Sequence, residues 1–525
     1  MKTLQRILPL AAISALAASA WAHEADNFKL VPSDGAIGDA FGSAVSIDGT
    51  VALVASPMAD GVGADSGAVY VYNFDGVAWN EIAKLTASDA AAGAHFGASV
   101  ALNGSRLVVG APGANGGDGS AYAFSFDGAV WSEDAVLSPA GLAAGAAFGS
   151  SVAIDGSSAV IGAPSASAAY VFVDAGGWSQ EAALGALGSV PGDNFGAGVT
   201  INGNFIAVGA PNGTGVIANS GTVHMFSRSA SLWSEDQTLI LADPTTGDRF
   251  GAALDMYNSI ELLIGIPGID LGATDTGGSQ RFRLEGGSWV LKNSYPGRDA
   301  DDRMGESIAL YDRFNVMGVT GDDDEAQDAG TAFRFLKNSI TPLEIYVGSD
   351  AEPDAAFGAA VDVSDIWAVN GSPAHGGVGS AYIHSAVQAV VLPLLGSGVN
   401  PDILSTLSGP VIGETWNSSV DLTLYPDSER TRLIMKRNPS PAPIMTMFGE
   451  IFFRTADPVV LMNDALGLHS LSVPNNPAIL DREFTLMCVV YGAAIDGFPI
   501  LALTNGQTVT IGTTDYPVNE EGDED

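Results

Sequence analysis

The stretch "FGASVALNGSRLVVGAPG", Phe96 to Gly113, opens on Phe-Gly, closes on Gly-Ala-Pro and sets Asn103-Gly104 between two short apolar runs. Short Val- and Leu-rich runs read as strands. An Asn or Asp before Gly suits a tight hairpin whose central residues take positive φ. The stretch therefore reads as two strands joined by a turn.

It recurs. Phe-Gly begins at Phe41, Phe96, Phe148, Phe195, Phe250 and Phe357, with Met-Gly at Met304, at intervals of 47 to 55 residues. A small-x-Pro or its remnant begins 14 residues on, at Ala55, Gly110, Gly162, Gly209, Gly318 and Gly371, and 15 residues on at Gly265. Each copy continues with a Gly-rich loop, an aromatic-alternating run such as "GAVYVY", a turn that often carries Trp, and a fourth run such as "NEIAKLTASD". A period near 50 with four short strands is the pattern of a propeller blade.

The seventh copy stops after its third strand near His384, and the chain's early "NFKLVPSDGAIGDAFG" matches the missing fourth strand and loop. Asn27 to Pro32 is therefore expected to complete the last blade, fastening the ring by ladder hydrogen bonds. Ring closure removes the open edges that a lone sheet exposes.

These copies resemble FG-GAP repeats, the unit of the seven-bladed propeller at the head of integrin α chains and of many secreted bacterial proteins. The likeness covers roughly Asp26 to Ser385 and implies a propeller with an extracellular binding or adhesion role. Many FG-GAP repeats also carry a calcium loop between their two signatures. Ca²⁺ requires about six to eight oxygen ligands. Here that place holds only Asp48, Asn103, Asp155 or Asn202 before Gly, and "MYNS", "LYDR" and "VSDI" in the last three copies. No calcium is expected in the hairpins. Phe41, Phe96, Phe148, Phe195, Phe250, Met304 and Phe357 are read as packing residues between blades.

The expected organisation is all-β: a signal peptide over 1–22, a seven-bladed propeller over 23–387, a smaller β-sandwich over 388–515 and an acidic disordered tail over 516–525. Lys2 and Arg6, the apolar run Ile7 to Ala18 and "AWA" before His23 form a secretory signal. No later segment is apolar enough to span a bilayer as a helix. After Ser385, strand-like runs such as "EFTLMCVVYG" and "PILALTNGQTVTIG" resemble the β-rich modules that close secreted bacterial repeat proteins. Cys488, the single cysteine, alternates onto one strand face and reads as a buried thiol.

The formal charge is −39, and becomes −41 once Lys2 and Arg6 leave with the signal. Between His23 and Gln280 only Lys29, Lys84, Arg106, Arg228 and Arg249 oppose 26 acidic residues. Such a surface repels nucleic acid and anionic lipid. It suits salt-screened solubility or a cationic partner.

Two loops of copy six are unusually acidic: "GRDADDRMG" with Asp299, Asp301 and Asp302, and "GDDDEAQDAG" with Asp322, Asp323, Asp324, Glu325 and Asp328. The next copy adds Asp350, Glu352 and Asp354. If the blades follow the family's order these loops share a rim, where they would either coordinate Ca²⁺ or form a solvated acidic surface. Asp39, Asp193, Asp248 and Asp302, each two residues before Phe or Met, are read as turn formers.

Enzyme signatures are thin. There is no H-E-x-x-H, G-x-S-x-G or Walker loop among the sequence's motifs. The leading reading is a secreted or cell-surface scaffold that binds an extracellular protein or glycan through its rim without catalysis. A polysaccharide-active, lyase-like or lipid-active enzyme built on His224, His384, Arg281, Arg283, Lys292, Arg298 and Arg303 is one alternative. A structural envelope or matrix component is another.

Overall fold

Every copy folds as a four-stranded antiparallel meander, and seven meanders form the blades of a propeller. In the computed structural model, residues 28–187, 192–312, 314–364 and 367–384 are described in full, together with the backbone of strand His23–Ala25, of Ser385 and of the strands from Val390 on. In the second copy the strands are Ser99–Asn103, Arg106–Ala111, Ser120–Phe126 and Trp131–Leu137, from the axis outward. Helical structure among the described residues amounts to one four-residue turn, Ala114–Gly117, and two 3-10 turns.

The last blade is completed from the other end of the chain. Phe28–Leu30 pairs antiparallel with Ser380–Ser385, Lys29 opposite Tyr382, beside Trp367–Ser372 and Ala360–Val363. His23–Ala25 adds a parallel fifth strand to blade six, against Glu344–Val347. In blades one to five the two outer strands carry a register shift near the same place, for example between Glu133 and Ala135. A bulge of this kind twists an edge strand away from pairing with another chain.

The ends of the repeated phrase make one connected contact. Within each blade the Gly of Phe-Gly donates its N–H to the carbonyl of the first residue of Gly-Ala-Pro, as in Gly97 to Gly110 at 3.0 Å and Gly358 to Gly371 at 2.9 Å. That bond fixes the spacing of the two signatures. The same Gly-Ala-Pro glycine faces the next blade: a Cβ on Gly110 would strike the carbonyl of Gly149, and one on Gly371 the carbonyl of Gly42. Only glycine allows two backbones to approach so closely.

The Phe of each signature fills the wedge between blades. Phe96 is fully buried, forms an isolated bridge to Gly67 of blade one and sets its ring edge-on to Tyr122 of blade two at 5.3 Å. Phe41 bridges Gly379 in the same way across the seam between blades seven and one. Met304 is fully buried and bridges Gly277, so the Met-Gly variant keeps the packing role.

The hairpin differs from the sequence expectation in one respect. Asp48 pairs with Val51, so the two-residue turn is Gly49-Thr50 and the Asp lies before it. Of the two, only Gly49 has positive φ, as do Gly104, Gly156 and Gly203 at the same place. Glycine at the first central position is the mark of a II′ turn. The Asp or Asn is thus not a central turn residue, and its side chain is free for another use.

Beyond Val390 the strands pair into further sheets, with Ser428–Arg437 against Glu483–Ile495 the longest antiparallel pair. Cys488 lies in that strand, opposite Leu433. Residues 1–22 and the tail 516–525 lie outside the described residues, as do side chains of the expected sandwich.

Replacing Gly110 or Gly371 by Ala drives a methyl into the neighbouring blade's backbone. Each change is expected to destabilise the fold by about 1–3 kcal/mol. Gly104→Ala, where a Cβ has open space around it, serves as the comparison for the left-handed φ alone. Denaturant unfolding of the three variants measures the difference, and equal losses would show that the blade contact is not the limiting one.

Candidate functional site

Each inner strand runs from Phe-Gly on one face to the hairpin on the other, so the two faces carry different loops. The loops before Phe-Gly and after Gly-Ala-Pro meet on one face, where their backbones are hydrogen-bonded: Phe148 N–H donates to Asp118 O at 2.9 Å and Phe250 N–H to Ser220 O at 3.0 Å. In the same way Asp354 N–H donates to Gln327 O at 2.8 Å and Phe357 N–H to Ala329 O at 2.8 Å, which joins the acidic loops of blades six and seven.

The carboxylates of blade six are used largely within their own loops. Asp302, buried, accepts from Asp299 N–H at 3.0 Å. Asp322, also buried, accepts from Asp324 N–H at 2.9 Å, from Thr331 Oγ1 at 3.0 Å and from Arg298 Nη2 at 3.2 Å. Arg298 reaches Asp324 at 3.1 Å as well and lies over the Phe333 ring. Asp323 accepts from Asp328 N–H at 2.7 Å. Asp299, Asp301, Asp323, Asp324 and Glu325 are exposed. Among the described residues no group of three or more His, Cys, Asp and Glu is placed to hold a metal ion.

Part of this acidity is a repeated device. Asp60 accepts from Asp65 N–H at 3.0 Å and Asp270 from Asp275 N–H at 2.8 Å, as Asp323 does from Asp328. Asp65, Asp275 and Asp328 all take positive φ, which Asp tolerates better than most residues. The D-x4-D spacing in three copies was the available sequence signal for this loop. Asp39, Asp193 and Asp248 are turn acceptors too, from Ala36 N–H at 2.8 Å, Phe195 N–H at 3.0 Å and Thr245 N–H at 2.5 Å.

Between blades six and seven these loops enclose a pocket of about 410 Å³ lined by Arg303, Glu306, Thr320, Asp328 and Asp354, with Ala356 and Ala359. Thr320 donates to Glu306 at 3.2 Å, and Arg249 of blade five approaches Glu306 at 3.9 Å. The same face exposes apolar loop tips, with Ile37 86% and Val62 82% exposed.

The remaining polar groups form blade-to-blade or within-blade contacts. Asp34, Asp89 and Asp350 each lie just after an outer strand and accept from a Tyr of the following blade, Tyr70, Tyr122 and Tyr382, all at 2.7 Å. Lys84 and Lys29 join two of these pairs at 2.8 and 2.6 Å. In blade seven His375 adds to the group, with Nε2 2.9 Å from Lys29 Nζ. His, Tyr and Lys therefore converge there as one version of a repeated latch. His224 lies between Glu235 at 2.7 Å and Thr222 at 3.0 Å, and His384 between Asn370 at 3.1 Å and the Val347 carbonyl at 3.0 Å. Arg281 pairs with Glu261 at 2.5 Å inside blade five, Arg283 lies 3.6 Å from the same Glu261, and Lys292 pairs with Glu285 at 2.6 Å. Arg303 borders the pocket, and its side chain donates to Asp301 O at 3.4 Å. The structure does not bring these His and basic residues together.

The second cavity lies on the axis. The seven inner strands enclose about 500 Å³, and Asp255 and Asp362, both on inner strands, face it. Asp255 accepts from Leu310 N–H of blade six at 2.7 Å; Asp362 accepts from Ile47 N–H and Ser46 Oγ of blade one, both at 2.8 Å. Burial pushes Asp255 up to about 8, helped by the Asp362 charge, and pushes Asp362 up to about 6. Nothing in the sequence marks this pair, because an Asp in a strand looks like any solvent-facing residue.

The FG-GAP repeat model matches residues 25–72, 79–124, 131–172 and 178–226. Those four matched segments lie in the first half of a chain that folds as a seven-bladed β-propeller. No curated protein matches. Among solved structures, the periplasmic gluconolactonase of Pseudomonas aeruginosa is 15% identical, with 59% of this chain and 87% of that chain covered at a TM-score of 0.38. A putative 6-phosphogluconolactonase of Bacteroides fragilis is 14% identical, with 56% and 80% covered at 0.38. Virginiamycin B lyase of Staphylococcus aureus is 10% identical, with 66% and 95% covered at 0.43.

A carboxyl whose folded pKa is raised favours the protonated folded state. Its contribution to stability is present below the ordinary carboxylate range and is lost as pH rises through the folded value. Between pH 4 and pH 8 the wild type should therefore lose stability that Asp255→Asn does not lose. The melting temperatures of the two should converge or cross as pH rises, by roughly 1–2 °C per kcal/mol for a ring of this size. Parallel curves over this range would show that Asp255 titrates normally.

Proposed function

We propose that this protein is a secreted or cell-surface recognition scaffold whose acidic rim binds an extracellular protein or glycan. The observation that carries the reading is the pocket between blades six and seven, where two hydrogen-bonded blades present Arg303, Glu306, Thr320, Asp328 and Asp354 on the loop-bearing face. Binding residues on loops held by a rigid scaffold are the usual arrangement for recognition. Mixed charge gives both donors and acceptors, and the exposed Ile37 and Val62 supply apolar contact on the same face. The His, Tyr and Lys side chains that do converge are engaged in latches between blades, which favours a scaffold over a reaction centre. The N-terminal signal pattern supports export, and the acidic surface favours partners other than nucleic acid or anionic lipid. No helix among the described residues is long and apolar enough to cross a membrane.

The test is retention of the protein from His23 onward on a panel of extracellular polysaccharides and matrix proteins, with and without Ca²⁺, with new chain ends scored in the same wells. Retention without cleavage is expected, weakened at least tenfold by Asp328→Ala with Asp354→Ala. A gain with Ca²⁺ that Asp323→Asn and Asp324→Asn abolish would assign the metal to blade six. New chain ends would replace the scaffold with an enzyme, and retention indifferent to the rim variants would move the site elsewhere.

A further inference from the structure

The seam between blades five and six departs from the repeat at several places at once. Seven residues on from Phe-Gly, at the hairpin face, the first four copies carry a side chain that accepts from the next blade. Asp48 accepts from Gly104 N–H at 2.6 Å, Asn103 from Gly156 N–H at 3.0 Å, Asp155 from Gly203 N–H at 2.6 Å and Asn202 from Ser259 Oγ at 2.9 Å. Copies five and six hold Tyr257 and Tyr311 there, half-buried, with rings 5.0 Å apart. Where the third strands of blades one to four carry Val71, Ala123, Val171 and Met225, blade five has Arg281. Two residues on, Arg283 is half exposed and lies 3.6 Å from Glu261. Lys337 follows the third strand of blade six, where blades one and two continue with Phe74 and Phe126.

These replacements gather positive charge in an acidic chain. Among the lysines whose side chains are described, Lys29, Lys84 and Lys292 each meet a carboxylate at 2.6 to 2.8 Å. Lys337 meets none. Its ammonium lies 5.2 Å from the centre of the Tyr257 ring and forms no ion pair or hydrogen bond among the described residues. Glu261, the carboxylate of this seam, is already taken by Arg281 at 2.5 Å. Burial holds the half-buried Lys337 ammonium below the usual lysine range; Glu261 and Asp312 oppose the shift, while Arg281 and Arg283 add to it. Tyr295, close to Arg281 and Asn315, donates its hydroxyl to the Lys337 carbonyl. The Asn315 amide is fully buried, and neither its polar atoms nor Arg281 Nε has a partner among the described residues. Buried donors without acceptors are costly, and here they accompany an unpaired ammonium in one seam. Each calls for an acceptor that the described residues do not supply.

We propose that the hairpin face of this seam binds a small organic anion, a carboxylate carried on a ring, with Lys337 and Arg283 holding the carboxylate and Tyr257 and Tyr311 backing the ring. A guanidinium offers a planar fork of donors that matches a carboxylate, and an ammonium adds three more. The tyrosines supply apolar surface where they line the end of the axial channel. A metal ion does not suit the spot, because the groups presented are cations and donors. A polyanionic chain does not suit it either: Asp312 lies exposed beside Tyr311, and the chain as a whole carries −39, which repels an extended anion. One small anion is the ligand that matches. The seam opens on the face opposite the rim pocket, and the proposal is independent of the rim reading.

The experiment is calorimetric titration, at two temperatures, of the whole chain from His23 with sodium benzoate and sodium D-glucuronate. Sodium acetate, sodium sulfate and D-glucose are run beside them at matched ionic strength. One ring carboxylate per chain is expected, bound roughly tenfold or more tightly than acetate, sulfate or glucose, as one extra charged hydrogen bond or ring contact supplies. Preference for benzoate would make the ring aromatic, and preference for glucuronate would make it a sugar. Lys337→Met and Arg283→Gln, both at half-exposed positions, should each weaken binding roughly tenfold. Lys337→Arg keeps the charge and should keep most of the affinity, which separates an ammonium contact from a packing role. Lys292→Met, in a lysine already paired with Glu285, should leave binding unchanged, as should Asp328→Ala with Asp354→Ala on the rim. Acetate or sulfate bound as tightly as the ring carboxylates, affinity that persists in both Lys337→Met and Arg283→Gln, or no heat with either ring carboxylate at both temperatures would each overturn the proposal.

Discussion

The propeller depends on a contact in which backbone meets backbone. At six of the seven blade boundaries the glycine of Gly-Ala-Pro lies under the carbonyl of the following Phe-Gly, with no room for a Cβ. That approach sets how near the inner strands come to the axis, and hence how narrow the channel is. Phe then fills the wedge that opens farther out, where blades diverge. In copy one Ala55 takes the glycine's place, while Gly97 beside it stays glycine and so keeps the approach possible. The two signatures are therefore one mechanism divided between neighbours, which explains why they occur together in each copy.

Close approach creates a second problem. Inner strands of adjacent blades lie side by side around the axis without a shared ladder, and their free N–H and C=O groups need partners. Serine, aspartate and asparagine side chains supply both kinds. Ser99, Ser151 and Ser307 donate to the carbonyls of Gly149, Gly196 and Gly358 at 2.9, 2.8 and 2.6 Å, and the Asp, Asn and Ser acceptors take up N–H groups farther along. The seam between the last and first blades is joined by the same means, through Asp362, and by the ladder of Phe28–Leu30. Closure thus uses side-chain and backbone bonds at different radii.

Much of this architecture was legible in the sequence. The fixed spacing from Phe-Gly to Gly-Ala-Pro is a hydrogen bond, and the seven copies with a displaced fourth strand are a ring. Periodic signals of that kind survive because glycine and phenylalanine have few alternative roles at such positions. The acceptors were not legible. Asp48 before Gly49 looks the same whether it shapes a turn or reaches across to Gly104, and only the pairing with Val51 shows that it stands outside the turn. In the acidic loops of blade six the sequence shows the carboxylates but not their partners. Several of them turn inward onto their own backbone N–H groups.

The acidity of this chain consequently has two physical characters. On the rim, carboxylates are spread over exposed loops, are screened by salt and lend the surface its sign. In the channel, Asp255 and Asp362 lie where screening is weak, so each charge is costly unless a proton or a cation accompanies it. A carboxylate is kept there because it must accept N–H groups from the next blade, and the cost comes with that role. The rim can therefore change its loops with little effect on the ring, whereas the channel cannot lose its acceptors without loosening the joints between blades five and six and between blades seven and one. The exposed acidic loops and the buried inter-blade acceptors thus lie toward opposite ends of the same strands, with the glycine contact between them.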